Sequence, residues 1–245
     1  MIQRLKHQQE KLLISERHEA WSSVARKLAH EIKNPLTPIQ LIIDNLRSKY
    51  LNNIEGENKE KYESNLNIIN NQIKQIENLV NEFSDFARMP KPLMKENNLN
   101  NIINNNIKLL NKLNNKIQIK FKTNKNKDMF FLCDLEQMNR VIFNLIKNSI
   151  DSISEKYLKN TDFKGLINIE IFKRNEYIGI IIFDNGTGFK NKKKEELIKP
   201  YFTTKNNGSG LGLSIVNKII TDHNGVIKFS NYNDGAKIQI NFNLN

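Results

Sequence analysis

Two stretches near the start of the chain carry apolar residues at alternating steps of three and four. The first runs from Trp21 to Leu46 and the second from Tyr62 to Phe83, with a polar connection around Gly56 between them. Such spacing predicts two amphipathic helices, each with a narrow apolar seam, joined as an antiparallel helical hairpin. The predicted seam residues are Trp21, Val24, Leu28, Ile32, Pro35, Ile39, Ile42 and Leu46 in the first helix and Tyr62, Leu66, Ile69, Ile73, Ile76, Val80 and Phe83 in the second.

One hairpin cannot bury both seams, so a homodimer that forms a four-helix bundle is expected. Pro90-Lys91-Pro92 ends the second helix, because proline lacks an N–H and clashes with the preceding turn. The predicted organisation is a helical lead-in at 1–20, the hairpin at 21–89, a linker at 90–92 and a second domain at 93–245.

The second domain mixes helical and strand patterns without strict alternation. This order favours an antiparallel or mixed sheet with helices on one face. The predicted helices are Leu99–Leu113, a helix opened by Asp134 and ending near Tyr157, and Leu211–His223. The predicted strands are Lys116–Thr123, Met129–Cys133, Leu166–Lys173, Tyr177–Phe183, Val226–Asn231 and Ala236–Asn243.

Composition narrows the function classes. The net charge is +12, but the lysines are scattered among asparagines and isoleucines without the aromatic residues of a nucleic-acid platform, so no direct nucleic-acid partner is expected. Cys133 is the one cysteine and is interpreted as a buried structural thiol in a reducing compartment. No apolar run approaches the ~20 residues that span a bilayer, so the chain is expected to be soluble and cytoplasmic, with a membrane connection only if it is part of a longer protein.

His30 is the first candidate for chemistry. Its spacing from Leu28 and Ile32 places it roughly opposite the predicted seam, where its ring faces solvent. Glu31 is placed to hold one ring N–H and leave the other nitrogen as a nucleophile. Asn34, one turn later, shares the face of His30. The alternative is a solvated surface histidine; a zinc-protease motif is excluded, because it needs a second histidine where Asn34 stands.

Three further motifs lie in the second domain. Asn144 and Asn148 are four apart on one helix face, and two amide oxygens there suit a hard cation such as Mg²⁺. The alternative is a chance pair in an asparagine-rich chain.

Asp184 follows a buried strand and precedes Gly186 and Gly188. Its carboxylate can accept a hydrogen bond from an exocyclic amine such as that of adenine, and the glycines let the backbone approach a ring. A capped turn is the alternative interpretation. Gly208, Gly210 and Gly212 lead into a helix, where free backbone N–H groups favour phosphate, and Lys205 adds positive charge.

Taken in order, these motifs resemble those of the sensor histidine kinases of two-component systems, over about residues 20–245. The His30 segment resembles the H box, Asn144–Asn148 the N box, Asp184–Gly188 the G1 box, Pro200–Lys205 the F box and Gly208–Leu213 the G2 box. His30-Glu-Ile-Lys-Asn-Pro-Leu-Thr-Pro38 is most similar to the nitrogen-regulation NtrY/NtrB type.

The resemblance implies a fold, substrates and roles. The fold is an α + α/β architecture: a dimeric phosphotransfer hairpin, then a two-layer α/β sandwich that binds ATP. His30 is the implied phospho-acceptor, Glu31 its proton acceptor and Asn34 the residue that positions water. The cofactors are ATP and Mg²⁺, and the partner is the receiver domain of a response regulator. The implied ATP-binding residues are Asn144, Asn148, Asp184, Gly186, Gly188, Lys205, Gly208, Gly210, Leu211, Gly212 and Leu213, with Asn148 and Asn144 as metal ligands.

One departure affects charge. After Asn148 the sequence reads Ser-Ile-Asp-Ser, without the Lys-Tyr pair of many relatives, so Lys147 or Lys205 is expected to neutralise phosphate charge. Two alternatives remain at this point: an ATPase of the same nucleotide fold that is not a kinase, and a basic nucleic-acid-binding protein.

Overall fold

The structure is a computed structural model that describes residues 2–113, 117–123, 128–157, 164–174, 176–190, 192–205, 208–233 and 235–244, with side chains from Val24 onward. The chain forms two compact units, Met1–Pro90 and Lys91–Asn245. Among the described residues, no helix combines the length and the apolar character that crossing a membrane requires.

The first unit is a helical hairpin, as the spacing predicted. Helix α1 spans Ile2–Tyr50, a short 3-10 turn follows at Leu51–Asn53, and helix α2 spans Glu57–Ala87. Gly56 precedes α2 with φ of +66°, a left-handed conformation that glycine adopts without strain. Helix α1 continues through Pro35 and Pro38.

The hairpin buries a different line of residues from the predicted first seam. Leu36 and Ile43 of α1 pack against Leu66 and Ile73 of α2. Most of the predicted α1 seam is instead exposed; the exposed members are Val24, Leu28, Ile32, Pro35, Ile39 and Ile42. The side chain of Trp21 lies outside the described residues.

In α2 the predicted seam divides. Leu66, Ile73 and Val80 are buried, whereas Ile69 and Ile76 are exposed. Each helix therefore carries an apolar stripe wider than the line that meets its neighbour within one hairpin.

The second unit contains the remaining helices and strands. Their bounds are β1 Lys95–Asn98, α3 Leu99–Leu113, β2 Ile117–Lys122, β3 Phe130–Cys133, α4 Leu135–Tyr157, β4 Gly165–Lys173, β5 Tyr177–Asp184, α5 Lys194–Leu197, α6 Gly212–Asp222, β6 Gly225–Tyr232 and β7 Gly235–Asn243. The predicted helices and strands are confirmed to within a residue or two. Strand β1 and the short helix α5 were not expected. The connections between β4 and β5 and between β6 and β7, where the sequence predicts turns, include residues 175 and 234, which lie outside the described residues.

A mixed five-stranded sheet forms the base of this unit, in the order β2-β4-β5-β7-β6. Strand β2 pairs parallel with β4, and the other pairs are antiparallel. Strands β1 and β3 form a separate antiparallel pair. Alternate residues of the central strands, such as Ile169, Ile180 and Ile240, are buried, as expected for a sheet with one face against helices. The two-layer α/β expectation is confirmed.

Side-chain caps fix where two helices begin. Asn98 Oδ1 accepts the backbone N–H of Asn100 at 2.9 Å at the start of α3. Asp134 Oδ1 accepts the N–H of Gln137 at 3.0 Å at the start of α4, as its sequence predicted. Cys133 is buried, and burial raises the pKa of its thiol to about 11, in line with the structural interpretation.

Candidate functional site

His30 lies on the exposed surface of helix α1. His30 is exposed, whereas the adjacent Ala29 is buried, with 5% of its surface exposed. The helix spacing therefore predicted the outward direction of His30 correctly. Glu31 and Asn34 are exposed as well, and the Glu31 carboxylate lies 4.0 Å from Lys27 Nζ. A solvent-facing imidazole has a ring nitrogen that a phosphoryl donor can approach.

Asp184 ends strand β5 inside the second unit and is 8% exposed. Ser149 Oγ of α4 donates to its Oδ2 at 2.9 Å, and the N–H of Gly186 donates to its Oδ1 at 3.0 Å. Burial raises the pKa of Asp184 above its ordinary value. The hydrogen bonds and the charge of Lys156 oppose that shift. A buried carboxylate held in one orientation is suited to recognise a single donor of a ligand.

The loop after Asp184 is attached to helix α4. Thr187 N donates to Ser152 Oγ at 2.9 Å, and Lys156 Nζ donates to the carbonyl oxygens of Asn185 and Gly186 at 3.1 and 3.3 Å. A Cβ at Gly186 would lie 2.3 Å from Ser152 Oγ and 2.8 Å from the Ser152 backbone, so the loop approaches α4 as closely as only glycine permits.

The other glycine of this loop contacts the sheet edge instead. Gly188 has φ of +67°, and a Cβ there would lie 2.9 Å from Asn231 Oδ1. Asn231 Oδ1 also accepts the N–H of Phe189 at 2.8 Å. The two predicted glycines of this motif thus fix opposite sides of one loop.

The segment from Lys205 to Leu213 also reaches α4. Lys205 Nζ donates to Asn148 Oδ1 at 2.8 Å and to Asp151 Oδ2 at 2.7 Å. A Cβ at Gly212 would lie 3.7 Å from Asn144 Oδ1, so the first residue of α6 lies beside the amide of Asn144. Asn206 and Asn207, which the sequence placed in this motif, lie outside the described residues.

The glycines before α6 differ in their surroundings. Gly210 has φ of +70° and lies against the backbone of Tyr201 and Phe202, whereas Gly208 lies against the Thr203 hydroxyl. Leu211 is buried, and its N–H bonds to Ser209 Oγ at 3.2 Å. The Leu213 side chain is half-buried.

Helix α4 therefore brings the predicted residues of the second unit together. Asn144 and Asn148 lie on one of its faces, which Lys205 reaches from the segment before α6. Asp184 of β5 bonds to Ser149, which lies on a neighbouring face of the same helix. Lys147, the other candidate for phosphate charge, is exposed.

Sequence reasoning missed four residues that build this face or support it. Ser149, Ser152 and Lys156 hold Asp184 and its loop, and Asp151 holds Lys205. For Asp151 and Ser152, which follow Asn148 by three and four residues, the helical period was an available signal. Ser149 and Lys156 do not have this spacing from the asparagines.

His223 also differs from its expected state. It ends the predicted helix Leu211–His223, a position where a histidine is expected at the surface, but it is 5% exposed. Its Nε2 accepts the N–H of Asp134 at 3.0 Å, so Nδ1 carries the proton and donates to the Ile219 carbonyl at 2.8 Å. The end of α6 is thereby tied to the start of α4.

Comparison with known proteins gives the class. Residues 20–92 match the His Kinase A (phospho-acceptor) domain, and residues 133–245 match the family described as histidine kinase-, DNA gyrase B-, and HSP90-like ATPase. The chain is 29% identical to the catalytic domain of the histidine kinase ThkA, with a TM-score of 0.54 over 61% of this chain and 95% of that one. It is 26% identical to ThkA solved in complex with the response regulator protein TrrA, with a TM-score of 0.66 over 98% of this chain and 66% of that one. The chain belongs to the two-component sensor histidine kinases.

Curated relatives give the type within that class. The chain is 38% identical over its whole length to an NtrY-like sensor histidine kinase of Rickettsia felis. It is 34% identical, over 95% of its length, to the nitrogen regulation protein NtrY of Azorhizobium caulinodans. It belongs to the NtrY type of this family, and it spans 39% and 30% of the lengths of these two relatives.

Proposed function

We propose that this chain transfers the γ-phosphoryl group of ATP to His30 and passes it from there to an aspartate of a response-regulator receiver domain. The observation that carries the proposal is the exposed His30 of a phospho-acceptor hairpin in the same chain as an ATPase-type unit. In that unit Asp184, the α4 asparagines and the glycine segment converge on helix α4.

The His30 ring is proposed as the nucleophile. One ring nitrogen forms a bond to the γ-phosphorus of ATP while the bond to the leaving ADP oxygen breaks, and Glu31 accepts the proton that the ring releases. Asn34 lies one turn away on the same exposed surface and is proposed to orient water when the phosphorylated receiver domain is hydrolysed. Phosphoryl transfer asks the protein mainly for such positioning and charge neutralisation.

Asp184 is proposed to accept the exocyclic amine of adenine. Its burial and its fixed hydrogen bonds support this role, because a carboxylate that cannot rotate selects for one donor. Gly186 and Gly188 are proposed to line the base. Lys205 and the backbone around the start of α6 are proposed to hold the phosphates; the backbone residues are Gly208, Gly210, Leu211, Gly212 and Leu213.

Asn148, together with Asn144, is proposed to hold Mg²⁺. The residues fit a cation, since Asn148 Oδ1 already accepts a positively charged donor, Lys205 Nζ, at 2.8 Å. An amide oxygen is a ligand that Mg²⁺ accepts while it keeps several waters. Bound Mg²⁺ would neutralise charge on the phosphates.

The hairpin is proposed to form a homodimer. The exposed apolar residues of α1 precede the buried ones by one position, as Ile42 precedes Ile43. Those of α2 follow by three, as Ile76 follows Ile73. At 100° per residue, both offsets rotate the exposed stripe away from the buried line in the same sense about its own helix axis. Because the two helices are antiparallel, the two exposed stripes then face the same side of the hairpin. A second copy would bury them in a four-helix bundle.

The partner and the domain limits are also proposals. A histidine kinase of similar fold was solved with a response regulator, which supports a receiver domain as the acceptor for this chain. We assign the hairpin to 21–89 after a helical lead-in at 1–20, the linker to 90–92 and the ATP-binding domain to 93–245.

A labelling experiment tests the proposed function. The chain is incubated with γ-labelled ATP and Mg²⁺, and the protein is expected to gain label that acid removes and base does not. The His30→Gln variant should bind ATP and gain no label. Phosphate release without labelled protein would favour the ATPase that is not a kinase, and label in the variant would refute the role of His30.

A further inference from the structure

The ammonium group of Lys205 lies between two oxygens of helix α4. It is 2.8 Å from Asn148 Oδ1 and 2.7 Å from Asp151 Oδ2. Asn148 and Asp151 are three residues apart and therefore share one face of the helix. One amide oxygen and one carboxylate oxygen thus surround a single positive charge.

This pair of oxygens has the chemistry of a divalent-cation site. Carboxylates and amide carbonyls are the protein ligands of hard cations, and an ammonium group satisfies the same oxygens when no metal is present. Asp151 is the residue that gives this place its negative charge, and neither the motif spacing nor the sequence resemblance assigned it a role.

Neighbouring charges are engaged with other groups. Glu155, one turn after Asp151, pairs with Lys190 at 3.1 Å. Lys156 donates to the carbonyl oxygens of Asn185 and Gly186. Asp151 therefore contacts the segment before α6, whereas Lys156 contacts the loop that follows Asp184.

Lys205 is held in a way that permits exchange. Its backbone N–H bonds to Thr203 Oγ1 at 3.0 Å, and its carbonyl accepts the N–H of Gly208 at 3.3 Å, so the main chain is fixed by local contacts. Its side chain is 36% exposed and that of Asp151 is 39% exposed. A partly exposed ion pair on a flexible stem is weak, and a competing cation can displace it.

From this geometry we infer that Asn148 and Asp151 form one cation site with two alternative occupants. Lys205 is one occupant, and a divalent cation that binds together with the nucleotide is the other. Asp151 is then the carboxylate ligand of the metal, and the released Lys205 is free to meet phosphate. The inference rests on the proposed function for the identity of the nucleotide, whereas the competition between Lys205 and a divalent cation can be measured without nucleotide.

The decisive test uses Mn²⁺ and the full chain without nucleotide. Free Mn²⁺ is followed by electron paramagnetic resonance during a titration of the wild type, Lys205→Met and the double variant Lys205→Met/Asp151→Asn. Removing the tethered cation should raise Mn²⁺ affinity by about fivefold or more, and the double variant should lose that gain. Lys228→Met removes the same charge from an exposed position on the edge strand β6 and should leave Mn²⁺ affinity unchanged.

Two outcomes overturn the inference. One is an unchanged Mn²⁺ affinity in Lys205→Met, and the other is a gain that survives in the double variant. Because no nucleotide and no phosphoryl transfer enter this titration, a failed labelling of His30 leaves its result intact, and the reverse also holds.

A calorimetric titration with ADP tests the role of Asp151 as a metal ligand. Asp151→Asn should weaken ADP binding severalfold in the presence of Mg²⁺ and leave it unchanged or strengthened in a chelator, where the released Lys205 remains available to phosphate. Equal weakening under both conditions would show that Asp151 does not act through the metal.

Discussion

Gly210 should not tolerate replacement by alanine, whereas Gly212 should. Gly210 has φ of +70°, which alanine adopts only with strain. Its Cβ would lie 2.5 Å from the carbonyl carbon of Tyr201 and 2.8 Å from the nitrogen of Phe202. Both contacts are with backbone, so no side-chain rotation relieves them. Gly212 differs, because its φ is not positive and an added Cβ would have only Asn144 Oδ1 nearby, at 3.7 Å.

The expected magnitudes follow from these contacts. The left-handed conformation costs alanine about 1–2 kcal/mol. The clash with the backbone of Tyr201 and Phe202 adds to this cost. If the segment around Gly210 moves to relieve the clash, the proposed phosphate-binding geometry is lost instead. Gly210→Ala should therefore lower the free energy of unfolding by about 1–3 kcal/mol or abolish ATP binding without unfolding the domain. Gly212→Ala should leave stability unchanged or raise it by up to about 0.5 kcal/mol, since Gly212 begins a helix.

Two measurements check this contrast. Urea unfolding followed by circular dichroism gives the stability of each variant, and calorimetric titration with a non-hydrolysable ATP analogue gives nucleotide affinity. Gly212→Ala is the matched control for stability, since it adds the same methyl group two residues away without a close contact. Wild-type stability together with wild-type affinity in Gly210→Ala would refute the claim that this position requires glycine.

Further perturbations test other parts of the structure. Asp184→Asn should abolish ATP binding in a folded chain. Burial raises the pKa of Asp184, and protonation of its carboxylate removes the hydrogen-bond acceptor. As the pH is lowered, the ATP affinity of the wild type should therefore begin to fall at a higher pH than an aspartate with an ordinary pKa would give. A calorimetric pH series in which affinity falls only near the ordinary pKa of aspartate contradicts this. His223→Ala removes two hydrogen bonds of a buried ring and should lower the free energy of unfolding by about 2–3 kcal/mol in urea; a loss under about 0.5 kcal/mol would show that the tie to Asp134 is unimportant. Ile42→Asp should convert the proposed dimer to a monomer, as measured by light scattering. Ile43→Ala should remain dimeric and lose about 2 kcal/mol or more in the free energy of unfolding. The opposite pattern would show that we have assigned the two faces the wrong way round.

Most of the fold could be predicted because its elements follow regular periods. Helix α3 has the predicted bounds, and strands β4 and β7 differ from prediction by one residue each. Strand β1 could not be found in this way. Its sequence, Lys-Glu-Asn-Asn, has no apolar alternation, and it is a strand because it pairs with β3 from Lys95↔Cys133 to Asn98↔Phe130. Pairing between distant segments overrides local preference there.

The difference between the predicted α1 seam and the line of α1 that meets α2 has a physical origin. The apolar stripe of α1 is wide enough to serve two interfaces, and the pattern alone does not say which edge meets α2. Ala25 and Ala29 are buried within the hairpin, but alanine carries little weight in a search for large apolar residues. The larger residues one position earlier, such as Leu28, therefore defined the predicted seam, although they do not pack against α2 within the hairpin.

Helix α4 shows where sequence information about the site ends. The polar residues Asn144, Asn148, Asp151 and Glu155 follow one another at steps of four, three and four, the same rhythm that identified the hairpin seams. A search for polar stripes at the helical period would add Asp151 to the candidates from the sequence alone. It would not pair Asp151 with Lys205, because the two are 54 residues apart and the loop geometry decides their contact. Periodicity thus locates the functional face of a helix, whereas the partners of that face depend on tertiary structure.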